Sequence, residues 1–205
     1  STLPEPEIYY KDKPADLKTA DPRFADYDTR QKIDMALATE KEALNKDDRV
    51  ISVSASYYDS LHEYILVTSN GFRGDSCGTR FGLNASVSVN GGDSRPESYW
   101  GESSLFFDNL KKAGIGETAL TRGLKKIGGK KVASGKMSMI IENRQTGRML
   151  GPVISALNGS AIQQKNSFLS NMKGTKVFSD KLTVTDDPFI VSGRGSGYFD
   201  NEGLA

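Results

Sequence analysis

Apolar positions spaced three and four apart give way, near residue 50, to apolar positions spaced two apart. Ile33, Ala36, Leu37 and Leu44 share one face of a helix expected over about 29–45, with Lys32, Glu40 and Lys41 on the polar side. Asp28 followed by Gln31 has the spacing of a capping box. Ile51, Val53, Ala55 and Tyr57 then alternate with Ser52, Ser54 and Ser56, the pattern of a half-buried strand. Tyr64–Thr68 reads as a second strand. Asn70-Gly71 is a strong hairpin signal because both residue types tolerate positive φ. A third strand within 79–89 and a fourth near 97–103, joined through Asn90-Gly91-Gly92, complete an antiparallel meander. A second helix is expected over about 117–127, with Ala119, Leu120, Leu124 and Ile127 as its apolar stripe and Gly128-Gly129 as its stop.

The texture changes beyond Val132. Met139-Ile140-Ile141 is a short apolar run that predicts a strand within 136–142. Met149, Val153, Ile154 and Leu157 predict a helix over about 145–157, and another strand is expected at 181–185. Residues 1–27, with Pro4, Pro6, Pro14 and Pro22, read as an extended lead-in. The expected fold class is α+β: an antiparallel sheet with flanking helices, followed by the start of a second β-rich domain. The boundary falls near 131, giving domains 1–131 and 132–205. The two or three strands of the second part cannot close a sheet by themselves, so the chain reads as a segment of a longer protein.

Composition narrows the function classes. Hydrophobic residues make up 37%, and 27 basic residues against 26 acidic ones leave a net charge of +1. That balance supplies no electrostatic footprint for nucleic acid or an anionic membrane. The lysines at 125, 126, 130 and 131 read as a solvated helix C-terminus, where cations are favourable. No apolar run approaches the roughly 18 residues of a spanning helix. The opening Ser1-Thr-Leu-Pro-Glu5 lacks the features of a secretory signal, so the sequons at Asn84 and Asn158 are expected to stay bare. The single cysteine, Cys77, fits a reducing, cytoplasmic setting.

Candidate chemistry is sparse. His62-Glu63 resembles the opening of a His-Glu-x-x-His zinc motif, but Leu66 stands at the partner position and the chain holds no second histidine. Cys77 with His62 could form a thiol–imidazole pair, although a passive cysteine is the simpler reading. Asp186, Asp187, Asp200 and Glu202 could bind a hard cation or serve as turn formers. Ser192–Gly197 has the glycines of a phosphate loop without the lysine or the following helix.

Several segments in register resemble the PmbA/TldD family, whose members are also called modulators of DNA gyrase. They are Ser69-Asn-Gly-Phe72, Gly128–Gly135 with the strand after it, the tract Ala156–Leu169, then Lys181–Pro188, Gly193 and Phe199–Gly203. The resemblance implies a chain about half the family's length, taking the latter part of an N-terminal α/β domain and the beginning of a C-terminal β-rich one. One branch of the family resembles a zinc protease with a His-Glu-x-x-x-His helix. In register with it, this chain has Leu150, Gly151 and Ser155, and Gly151-Pro152 suggests a helix that starts there. The resemblance therefore implies the motif-free, PmbA/TldE-like branch, without a zinc or other cofactor of its own. Its expected partners are a motif-bearing TldD-like catalytic subunit and unstructured peptide substrates, with no direct nucleic-acid or membrane contact; a homodimer in isolation is compatible with it. Two alternatives stay open: an enzyme in its own right, through Cys77 with His62 or the acidic residues, and a direct regulator of DNA gyrase.

Overall fold

The computed structural model of the protein describes residues 16–204, so much of the expected lead-in lies outside the described residues. Two compact units result. One holds the described residues of Ser1–Lys130 and Asp187–Ala205, the other Lys131–Asp186.

The first unit is a three-stranded antiparallel sheet in the order β1-β2-β3, with helices α1 (Thr29–Lys41) and α2 (Ile115–Leu124) on one face. β1 (Val50–Val67) is continuous, not the two strands expected, because β2 (Arg73–Val89) offers it an unbroken antiparallel partner from Arg73 to Val89. Ile51 falls at the one register irregularity and is exposed, out of step with Val53, Ala55 and Tyr57. The hairpin forms where Asn70-Gly71 predicted it. Gly71 adopts φ +100, and Thr68 and Phe72 close the turn through a main-chain hydrogen bond of 3.0 Å. β3 (Glu97–Ser104) pairs with β2 only between Phe81 and Ser88. The outer half of the β1–β2 ribbon therefore extends past the third strand.

Alternation on β2 builds the core. Phe81, Leu83, Ala85, Val87 and Val89 are fully buried and meet Ile115, Ala119 and Leu120 of α2 together with Phe107 and Leu110. Tyr27 stacks on Phe107 with ring centroids 3.9 Å apart, and Phe24 and Tyr27 also cover Phe81. Each fully buried Phe, Leu, Ile or Val among them contributes about 1.5–3 kcal/mol. The opposite face carries Ser52, Ser54, Ser56, Ser86 and Ser88 and is not covered by either helix.

α1 is rotated from its expected orientation. Ile33, Leu37 and Leu44 are exposed, whereas Thr39 and Ala43 are buried and Met35 packs on the core. Thr39 and the residues after it face inward where α1 comes close to Gly116 of α2, and Lys32, two turns earlier, ties α1 to β1 by pairing with Asp59. Asp28 is the N-cap residue, but its side chain makes no capping bond. α2 begins at Ile115, two residues earlier than expected. Its cap comes from elsewhere in the chain: the Glu42 carboxylate accepts the Gly114 and Gly116 N–H groups, each at 2.8 Å.

In the second unit, α3 (Asn143–Leu157) is followed by α4 (Gly159–Gln163), which the Asn158 side chain caps through the Ser160 N–H. Ser167 ties the following turn to the end of α3 by donating to the Ala156 carbonyl at 2.6 Å. The strands expected at 136–142 and 181–185 do not form. A strand needs a neighbour for its main-chain groups, and no described residue of this unit supplies one. Ile140 accordingly stands fully exposed.

Candidate functional site

Strand register decides the fate of Cys77 and His62. Cys77 lies opposite Glu63, and His62 lies opposite Gly78. Neighbouring residues of a strand project to opposite faces, so the thiol and the imidazole leave the ribbon on different sides. The Cys77 thiol is pushed up, first by partial desolvation and second by the Glu63 charge. A nucleophilic cysteine needs the reverse shift. The pair therefore does not form the catalytic dyad that the sequence left open.

Two of the four acidic residues, Asp187 and Asp200, are absorbed by turns. Asp187 accepts the Phe189 N–H at 2.9 Å, and Asp200 accepts those of Glu202 and Leu204 at 2.8 and 2.9 Å. Among the described residues, no three His, Cys, Asp or Glu side chains gather closely enough to hold a metal ion. Ser192–Gly197 is likewise a structural turn. The Ser192 N–H donates to the Leu17 carbonyl at 2.7 Å, the Gly193 N–H to the Ile190 carbonyl at 2.9 Å, and the Arg194 guanidinium to the Ser103 carbonyl at 2.6 Å.

Leu150, Gly151 and Ser155 all lie on α3. The helix does not start at Gly151-Pro152; it runs unbroken from Asn143, with Pro152 inside it. Pro152 removes the amide that would bond the Arg148 carbonyl, and both residues are exposed, so water can replace that partner. Five residues rotate by about 500° along a regular helix, which separates the Leu150 and Ser155 directions by roughly 140°. The donor set does not fit a zinc ion. Leucine offers no ligand atom, Gly151 has no side chain, and one neutral hydroxyl on another face is a poor substitute for imidazole. No helix among the described residues is long and apolar enough to cross a membrane.

What sequence reasoning missed is a cleft. The tail after Asp187 returns to the outer half of the ribbon. Phe199 stacks on Tyr64 with centroids 6.2 Å apart, meets the Phe72 ring edge-on at 5.3 Å, and sits above Gly74, where a side chain would collide with it. At the β2 edge Thr19 bonds Thr79 and Cys77, and Leu17 bonds Ser192 and Tyr198 of the tail. The cavity there, about 1220 Å³, reaches round the β2 edge, so its lining takes His62 and Arg80 from one face of the ribbon and Cys77 from the other, along with Thr19 and Tyr198. No local periodicity signals such a cleft, because its walls lie more than a hundred residues apart in the chain.

The family model described as the PmbA/TldA metallopeptidase central domain matches residues 22–127, and that described as the C-terminal domain matches 134–205. The metalloprotease PmbA homologue of Buchnera aphidicola is 27% identical over 88% of this chain and 41% of its own length. Metalloprotease PmbA of Escherichia coli O157:H7 is 24% identical over 84% of this chain and 39% of its own length. A crystal structure from Bacteroides thetaiotaomicron, named as a candidate modulator of DNA gyrase, superposes on the whole chain with a TM-score of 0.96 at 49% identity, and the match covers 47% of that structure. The chain thus spans about 40% of the length of the curated relatives it matches. On two matching domain models that together cover most of its residues, the chain belongs to the PmbA/TldD family.

Proposed function

We propose that this chain is part of a non-catalytic, peptide-binding partner subunit of a TldD/PmbA-type zinc metalloprotease system, cytoplasmic and acting on unstructured peptides. What supports the reading is the content of α3: in the register that the family resemblance implies, Leu150, Gly151 and Ser155 take the places of the protease branch's two histidines and glutamate. The chain's single histidine, His62, lies on β1. A protein of this family without the metal ligands retains its exposed sheet edges, which hold extended peptides through main-chain hydrogen bonds. The gyrase name belongs to the structural neighbour. A net charge of +1 gives it no support here as a direct DNA contact.

The test uses the full-length protein and a motif-bearing relative. Alone, the protein is expected to leave an unstructured peptide intact over hours; mixed with the relative, it co-sediments as a complex. Peptide hydrolysis by the protein alone that a chelator abolishes would overturn the assignment, as would sedimentation of the two proteins as separate species.

A further inference from the structure

β1 is an outer strand of the sheet, and its free edge is long. The Thr68 N–H donates to the Phe72 carbonyl, which fixes the phase of the hairpin. In antiparallel register the even-numbered residues from Ser52 to Leu66 therefore bond β2, and the odd-numbered Val53, Ala55, Tyr57 and Asp59 turn their N–H and C=O groups outward. Among the described residues, those outward groups have no main-chain partner. Natural edge strands are blunted by proline, lysine or a bulge. From Ser52 to Asp59 β1 has none of these.

An apolar wall stands beside this edge. α1 packs on β1, and α2 on β2 and β3. Glu42, just past α1, reaches the Gly114 and Gly116 amides at the start of α2, so its side of the helix faces α2. Ile33, Leu37 and Leu44 stand about 140–180° round the helix from Glu42. They face away from α2, on the flank beyond β1, and all three are exposed. Helical bonding reaches Leu44, whose N–H donates to the Glu40 carbonyl at 2.9 Å. The stripe is about 16 Å long, and the edge from Val53 to Asp59 about 20 Å.

A strand added to this edge would alternate its side chains. Those opposite Val53, Ala55 and Tyr57 would lie on the α1 side, because these residues pack on the core, and those opposite Ser54 and Ser56 on the uncovered serine face. The Asp59 carboxylate is engaged by Lys32 and the Tyr57 hydroxyl, so the edge imposes no charge of its own. Helix stripe and strand edge together present roughly 300 Å², well below the ~800 Å² per partner of a standard protein interface. That area suits seven or eight residues of extended chain better than a second folded copy.

We propose that the β1 edge and the α1 stripe form a groove for an extended peptide with apolar side chains at alternate positions, bound as an added strand beside Val53–Asp59. The assignment rests on the peptide-binding reading above and gives it a place and a side-chain preference. Main-chain bonds supply the affinity, and Ile33, Leu37 and Leu44 supply the preference.

A fluorescein-labelled octapeptide alternating valine with serine is titrated into the full-length protein, with anisotropy as the readout. A peptide of the same composition with its valines in one block is expected to bind at least tenfold more weakly. Methylating the valine amides, which face β1, is expected to cost at least tenfold, and methylating the serine amides less than threefold. Leu37→Asp, at an exposed position, is expected to weaken binding at least tenfold while the Trp100 emission of the folded protein stays the same. Peptide slows hydrogen exchange at the Val53, Ala55, Tyr57 and Asp59 amides. Binding that survives Leu37→Asp and protects other amides would relocate the site and leave the peptide-binding reading standing. No binding of either peptide would remove both. Protection of the same amides without peptide would overturn the proposal: growing with protein concentration, it assigns the edge to a second copy, and independent of concentration, to another segment of the chain.

Discussion

Asp21→Ala is expected to lower the stability of the sheet unit by about 3–5 kcal/mol, the sum of two or three unsatisfied buried polar groups at roughly 1–3 kcal/mol each. Asp21 is 5% exposed and joins three parts of the chain. Its carboxylate accepts the Arg23 N–H at 2.9 Å, the Phe107 N–H at 3.0 Å and the Tyr27 hydroxyl at 3.0 Å. Its own N–H donates to the Thr79 hydroxyl at 2.8 Å, which in turn donates to the Leu105 carbonyl at 2.7 Å. Removing the carboxylate strands the Phe107 amide and the Tyr27 hydroxyl beside Phe81. Trp100 is the sole tryptophan and lies on β3, so its fluorescence during urea unfolding reports on this unit. A midpoint unchanged from the parent protein would show that water or a repacked side chain replaces the hub.

The same carboxyl links stability to pH. Burial raises it, but the Arg23 and Phe107 amides, the Tyr27 hydroxyl and the Arg23 charge together outweigh burial and hold it below its ordinary 3.8. A group depressed on folding contributes fully above the unfolded value and loses that contribution as pH falls through the folded one. The Trp100-detected stability is therefore expected to decline with acid below about pH 4, and Asp21→Asn, which keeps the shape without the titration, to flatten that decline. An identical acid profile in the two proteins would assign the loss to other carboxylates.

Much of the fold was legible because local signals and tertiary packing agree there. β2 alternates between buried apolar and small polar residues, Asn70-Gly71 has few competing conformations, and Gly128 takes the left-handed φ of +76 after α2. Where local and global demands part, sequence reading failed. α1 offers two faces of usable spacing, and Ile33, Leu37 and Leu44 look like the inward one. The inward face is Met35, which packs on the core, with Thr39 and Ala43, which lie where Gly116 of α2 comes close. Met139-Ile140-Ile141 has strand composition without a strand beside it. Of the site, the one part that residue identity decides is that Leu150 and Gly151 offer no side-chain ligand atom. The cleft was not readable. It depends on Phe199 meeting Tyr64 and Phe72, and on Leu17 bonding Ser192, contacts that leave no trace in local pattern.

Gly116→Ala is expected to cost about 2–4 kcal/mol, although alanine is the better helix former by about 1 kcal/mol. The reason is where α1 and α2 cross. A Cβ on Gly116 would stand 2.2 Å from the Thr39 carbonyl oxygen and 2.9 Å from the Glu42 Cβ. A backbone oxygen cannot rotate away, so the helices must separate. Separation also pulls the Glu42 carboxylate from the Gly114 and Gly116 amides, uncapping α2 where its first N–H groups have no other partner. Two glycines serve as controls. At Gly82 the nearest atoms to an added Cβ belong to the Tyr58 ring, at 2.1 Å, and that ring is exposed and can swing outward, so the cost of Gly82→Ala is expected to be smaller. Gly151→Ala, inside α3, meets nothing within 4 Å. It is expected to raise the helical circular-dichroism signal of the second unit and its thermal midpoint. The first two are read by Trp100 fluorescence in urea. If Gly116→Ala proves no worse than Gly82→Ala, the α1–α2 crossing is looser than the 2.2 Å approach implies, and the inward placement of Thr39 and Ala43 needs another cause.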